Sequence, residues 1–100
     1  MQQEPLAILG AVGGHFRRLA AARILMDNGR SAVQLQKLYG IPDYPARKTM
    51  EAARRFKPEF CRKAVELVME TDYKIKTSFD DSERLLELLV LQLAQEAKNG

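Results

Sequence analysis

The residue types that do chemistry are scarce in this chain, and their spacing gives them little to do. His15 is the only histidine and Cys61 the only cysteine. A structural zinc needs four ligands, which one of each cannot provide, and a lone cysteine forms no internal disulfide. His15 has no Ser, Cys or Asp at a spacing that would make a nucleophile–base pair, so it reads as a histidine on a helix face. Cys61 lies beside an apolar helical stripe, where a small buried thiol is the ordinary reading and a reactive nucleophile the alternative. The glycines of Leu9-Gly10-Ala11-Val12-Gly13-Gly14-His15 suggest a phosphate loop, but no Gly-Lys-Ser/Thr follows and no strand precedes. Asp80 and Asp81 form an acidic pair, yet Asp80 with Glu83 has the spacing of a helix capping box. The expectation is therefore no catalytic, cofactor-binding or metal-binding residue: a binding domain, not an enzyme in its own right.

Charge says more than any single side chain. Between Arg17 and Lys63 twelve Lys/Arg stand against four Asp/Glu, whereas from Ala64 to Gly100 four stand against eight, so a net charge of +3 hides a cationic part and an acidic one. The first suits phosphates and the second suits solvent or a basic partner; ordinary solvated helix faces would explain the same residues. One hundred residues supply one core, and 46% hydrophobic with 29% charged residues is the balance of a globular domain. No uncharged apolar run reaches the ~18 residues that span a bilayer. The start, Met1 to Gly14, lacks the charged segment that opens a secretory leader. The expected location is the cytoplasm.

The elements that must position these residues are helical throughout. A first helix runs from about Pro5 to Asp27 with Ile8, Val12, Phe16, Leu19 and Met26 on its apolar face, and Asn28-Gly29 stops it. Ser31 caps a second, which carries Val33 or Leu35 with Leu38 inward and ends at Tyr39-Gly40. Gly40 through Pro45 reads as a turn, because each proline disfavours helical geometry in the residue before it. A third helix places Ala46, Met50 and Ala53 on one stripe and Arg47, Lys48, Arg54 and Arg55 off it. Pro58 opens a fourth, with Phe60, Ala64, Leu67, Val68 and Ile75 inward, which fades near Lys76-Thr77-Ser78. The fifth begins at Asp80 or Asp81 and reaches about Lys98, with Leu85, Leu86, Leu89, Val90, Leu93 and Ala97 on one broad arc. Leu88 and Leu91 project from other sides, and a helix apolar on several sides needs more than one neighbour, from its own domain or from another subunit.

Taken in order, several segments resemble the C-terminal domain of bacterial DNA polymerase III delta subunits. His15-Phe16-Arg17-Arg18-Leu19-Ala20-Ala21-Ala22-Arg23, followed by Gly29, is similar to that family's first helix with its aromatic–Arg pair. Gly40-Ile41 through Tyr44, then Lys48, Ala53-Arg54 and Phe56, looks like its turn and Ala-Arg-Phe helix. Glu70-Thr71-Asp72-Tyr73-Lys74-Ile75-Lys76-Thr77 resembles its Asp-x-x-hydrophobic-Lys stretch before the last Leu-rich helix. Two departures are Gly13-Gly14, where better helix formers are usual, and Lys57, where Ser or Thr would cap the fourth helix.

The resemblance implies an all-α five-helix bundle of the clamp-loader collar type. Residues 1–100 would form a single oligomerisation domain, a fragment of a longer delta subunit whose N-terminal AAA+-type domains are absent. It implies gamma/tau and delta prime as partners, primed DNA met through the complex, and the beta clamp met only through the missing domains. No cofactor and no membrane are implied, and the parent complex is a DNA polymerase holoenzyme, a nucleotidyltransferase. The residues it nominates for DNA contact are Arg17, Arg18, Arg47, Lys48, Arg54, Arg55, Lys74, Lys76 and Phe79. Phe79 would stack on the end of the primed duplex; the alternative is that it packs back on the adjoining helix. Leu88 and Leu91 would join a neighbouring subunit. Ser31 to Phe56 also resembles a helix-turn-helix, which would make the chain a transcriptional regulator, and an adaptor bundle without DNA contact is a third reading.

Overall fold

A computed structural model describes residues 3–99; the first two residues of the segment read as lacking a secretory leader lie outside them. Five helices follow one another: α1 (Gln3–Asp27), α2 (Ala32–Tyr39), α3 (Asp43–Ala53), α4 (Pro58–Thr77) and α5 (Ser82–Asn99). No strand occurs among the described residues. The all-α expectation and all five helices therefore stand.

Local sequence sets the boundaries. At the end of α1 the Gly29 amide donates to the Met26 carbonyl at 3.1 Å and the Arg30 amide to the Leu25 carbonyl at 2.8 Å. Gly29 has φ 69°, the left-handed conformation that this double bond requires and that glycine adopts without a Cβ clash. Ser31 immediately starts α2 through a reciprocal capping box with Gln34, whose Oε1 accepts from the Ser31 amide at 2.9 Å. The α4 start has only extended Lys57 before Pro58, with no side-chain cap, as expected from the sequence. At α5 the cap is Asp81, not Asp80: the Glu83 amide donates to Asp81 Oδ1 at 3.1 Å, while the Asp80 amide donates to Ser78 Oγ.

The turn after α2 is shorter than expected, because α3 begins at Asp43 and takes in Tyr44 and Pro45. Pro45 is tolerated there since the first amides of a helix have no intrahelical acceptor to lose. Ala46 and Ala53 are buried against α1, as their spacing predicts.

Three core clusters share one spine. Leu19 and Ala22 of α1 pack with Leu35, Ala46 and Ala53; Leu9 packs with Leu67, Val68 and Leu89; Phe60, Cys61 and Ala64 lie between. Phe16 touches all three. Ile8, expected in the core, is 50% exposed, and Leu9 takes its place. Flanking apolar residues blur the phase of a stripe, and here α4 crosses α1 beside Leu9 and Gly13. For the same reason α2 buries Leu35 alone while Val33 and Leu38 face out, and Val90 of α5 is 63% exposed.

Despite its two adjacent glycines α1 is unbroken. A Cβ on Gly13 would sit 3.0 Å from Val68 Cγ1, so the missing side chain lets α4 come close. A Cβ on Gly14 would meet only the Arg18 guanidinium, at 3.2 Å. Replacing a helical Gly by Ala gains about 1 kcal/mol when nothing obstructs the methyl. Gly14→Ala should therefore raise the melting temperature by roughly 4–8 °C, and Gly13→Ala should fall short of it or lower stability, both read by thermal denaturation.

Candidate nucleic-acid and subunit contact surfaces

The residues nominated for DNA contact do not gather on one face. Arg47, Lys48, Arg54 and Arg55 are exposed on α3 and the turn after it. This end is fixed to the second half of α1, where Arg23 Nη1 donates to the Ala53 carbonyl at 3.4 Å. Arg47 is held by Asp43 at 2.8 Å. The ring of Tyr44, itself exposed, lies 5.8 Å from the Arg47 guanidinium and 5.5 Å from Lys48 Nζ. The turn assigned to Tyr44 from the sequence concealed this placement, and an aromatic one helical turn before a basic pair was the signal available. Arg30, between α1 and α2, borders the same end.

Arg17 and Lys76 line a separate groove between α1 and α4, floored by Leu9, Gly10 and Val68. Lys76 is paired there with Asp72 at 3.0 Å, an exposed i,i+4 pair of the kind that contributes about 0.3–0.5 kcal/mol. The guanidinium of Arg18 folds back over Gly14.

Phe79 occupies a third place, the loop between α4 and α5 beside Pro5. Its relative exposure is 109%, so it packs on nothing in its own domain, and the local-packing alternative fails. Asp80, Asp81 and Glu83 surround it in sequence and line the same hollow. From Pro5 to Arg23 is 18 residues, roughly 27 Å of helix, so the α3 cations and Phe79 sit at opposite ends of the bundle.

Cys61 is buried. Burial pushes its thiol above the ordinary value, while Arg23 pulls the other way. A protonated, enclosed thiol is a packing group, consistent with the reading of Cys61 as structural.

On α5, Leu85 and Leu89 are buried and Leu86 and Leu93 half-buried against α1 and α4. Leu88 and Leu91 are 43% and 65% exposed. At 100° per residue they share one outward side, with Val90 on the other flank. The outer apolar surface is therefore surplus to the domain's own core.

Comparisons with known proteins decide the family. The family model for the C-terminal domain of the DNA polymerase III delta subunit matches residues 1–93. The chain belongs to this family. The DNA polymerase III subunit delta of Bacillus subtilis is 29% identical over 91 residues, 91% of this chain and 26% of that protein. The solved structure of the Bacillus subtilis DNA clamp loader delta protein superposes with a TM-score of 0.84 at 28% identity, over 92% of this chain and 27% of that one. The chain thus spans about a quarter of the length of these relatives. The match runs through Ser31–Phe56 and on to both sides of it, which disfavours the helix-turn-helix regulator. No helix among the described residues is long and apolar enough to cross a membrane.

The division of α5 into core and surplus has a direct consequence for stability. Leu89→Ala should cost about 2–5 kcal/mol by opening a cavity, whereas Leu91→Ser should change the stability of the isolated domain by no more than about 0.5 kcal/mol. Urea denaturation of the two variants measures the contrast.

Proposed function

We propose that this domain is an assembly module of the DNA polymerase III clamp loader. In this reading it is a collar-type bundle that holds delta in a ring with the gamma/tau and delta prime subunits, and the chemistry of the holoenzyme lies elsewhere. One observation carries the reading: Leu88 and Leu91 stand side by side on the outside of α5, in a domain of the delta C-terminal family whose own core Leu85 and Leu89 already fill. Permanent subunit contacts are apolar at their centre and polar at the rim. Glu87, Arg84 and Gln95 surround the two leucines on the helix surface and would form such a rim.

The same domain, in this reading, meets primed DNA without reading its sequence. Support comes from the exposed cations of α3, which suit backbone phosphates, and from the fully exposed ring of Phe79. A ring in that position would stack on a terminal base, a contact of about 1–3 kcal/mol that tolerates any sequence.

The test is co-purification with the collar domains of gamma/tau and delta prime from the same genome, with the mass read by light scattering. The expected result is a stable heteromeric complex that polar substitutions at Leu88 and Leu91 weaken at least tenfold, a loss of about 1.4 kcal/mol or more. A domain that stays monomeric beside both partners overturns the assembly role.

A further inference from the structure

Between the end of α1, the start of α2 and the outer side of α3 lies a groove of about 530 Å³, lined by Met26, Arg30, Arg47, Met50, Glu51 and Arg54, with Ser31 and Ala32 closing one edge. Three arginines from separate turns of the chain line it against one acidic residue, Glu51. Arg47 is committed through Nε to Asp43. Arg30 and Arg54 have no acidic partner within ion-pair distance among the described residues.

We infer that this groove is a phosphate-binding notch, with Arg30 and Arg54 as its main donors and Arg47 at its rim. The source of the phosphate is a nucleic-acid backbone. The inference rests on the nucleic-acid part of the proposed function for that source alone, and is independent of subunit assembly.

Position supports it first. Arg30 follows Gly29 in the helix-stop motif, where its amide is bonded to Leu25, and precedes Ser31, whose amide is bonded to Gln34. Two caps on consecutive residues fix the Arg30 backbone, so little backbone entropy is lost when its side chain takes a ligand. Arg54 is set as firmly, because it caps α3 directly after Ala53, whose carbonyl accepts from Arg23.

Concavity supports it next. Cations spread on a convex surface are screened by water, whereas a groove with apolar walls focuses their field, and here Met26 and Met50 supply the walls. Guanidinium groups suit phosphate oxygens because their paired N–H donors match two oxygens at once. The lone carboxylate, Glu51, leaves the groove cationic and disfavours a second acidic group carried deep into it, while two arginines remain for one phosphate.

The test uses the 100-residue chain with three probes: inorganic phosphate, a fluorescein-labelled oligo(dT), and a poly-glutamate peptide. Arginine Nε–H resonances are followed by NMR, and oligonucleotide binding by anisotropy across a salt series. The expected result is that phosphate and oligo(dT) both shift Arg30 and Arg54. Arg30→Gln and Arg54→Gln should each reduce the slope of log affinity against log salt by about 0.7, the value for one single-strand phosphate contact. Arg62→Gln, on α4 and paired with Glu66, should leave the slope unchanged. Melting curves of the three variants should lie within about 4 °C of that of the parent chain, since none of these side chains is buried and an exposed i,i+4 pair contributes no more than about 0.3–0.5 kcal/mol.

If phosphate shifts the two arginines but oligo(dT) does not bind, the notch takes a free phosphate and the nucleic-acid source is overturned. If poly-glutamate shifts them and phosphate does not, or if no probe moves them, the notch itself is overturned. Neither result touches the assembly role, which the co-purification decides.

Discussion

The contact between Phe16 of α1 and Phe60 of α4, ring centroids 6.1 Å apart at 69°, lies where two packing units meet along α1. α2 and α3 pack on one end of α1, α4 and α5 along the rest, and neither α2 nor α3 packs directly on α4 or α5 among the described residues. Phe56, in the turn after α3, stacks on Phe60 at 4.7 Å and completes the junction. Edge-on and offset aromatic pairs contribute about 0.5–1.5 kcal/mol beyond the area they bury. Their larger role here is geometric. They fix the angle at which a two-helix unit at one end of α1 meets a two-helix unit at the other, and every surface feature rides on that angle.

A bundle organised along one long helix is thin. Its Cα extents are 44 × 30 × 18 Å, and 18 Å leaves room for no more than two helix layers. No helix is enclosed on all sides, so a helix that carries leucines on more than one side, as α5 does, shows part of that apolar surface outside. The length of the bundle, 44 Å along its longest axis, keeps the cations of α3 away from the acidic loop at Phe79. Separation by roughly 27 Å of helix exceeds the ~8–10 Å over which exposed charges interact at ordinary salt. The two ends are electrostatically independent.

Much of the fold was legible because it is written in short-range signals. Gly29 and Gly40 stop helices by taking positive φ, Ser31 with Gln34 starts one, and Pro58 opens another; each acts within four residues and needs no tertiary information. The phase of the apolar stripes was less legible. Ile8 and Leu9 are neighbours, and which of them faces α4 depends on Gly13, whose missing side chain sets where the helices cross. Leu88 and Leu91 stood out as surplus because they fall off the arc of the other leucines, and the structure leaves them exposed. Val90 was misplaced because it lies at the edge of that arc. Spatial grouping of the cations was not legible at all. Arg17 and Arg54 read as one basic population along the chain, and only the path of α1 shows that they belong to different places. Tyr44 reads as a turn residue beside Pro45, and Arg30 lies between two helix boundaries where no periodic face marks it.

The outer side of α5 is the element on which the assembly reading depends. A photo-crosslinking amino acid placed at Leu91, and separately at Met69 on the exposed side of α4, would be irradiated in the reconstituted clamp loader. The account predicts a covalent product with a neighbouring subunit from position 91 and little or none from position 69. Crosslinking from position 69 with none from 91 would contradict it.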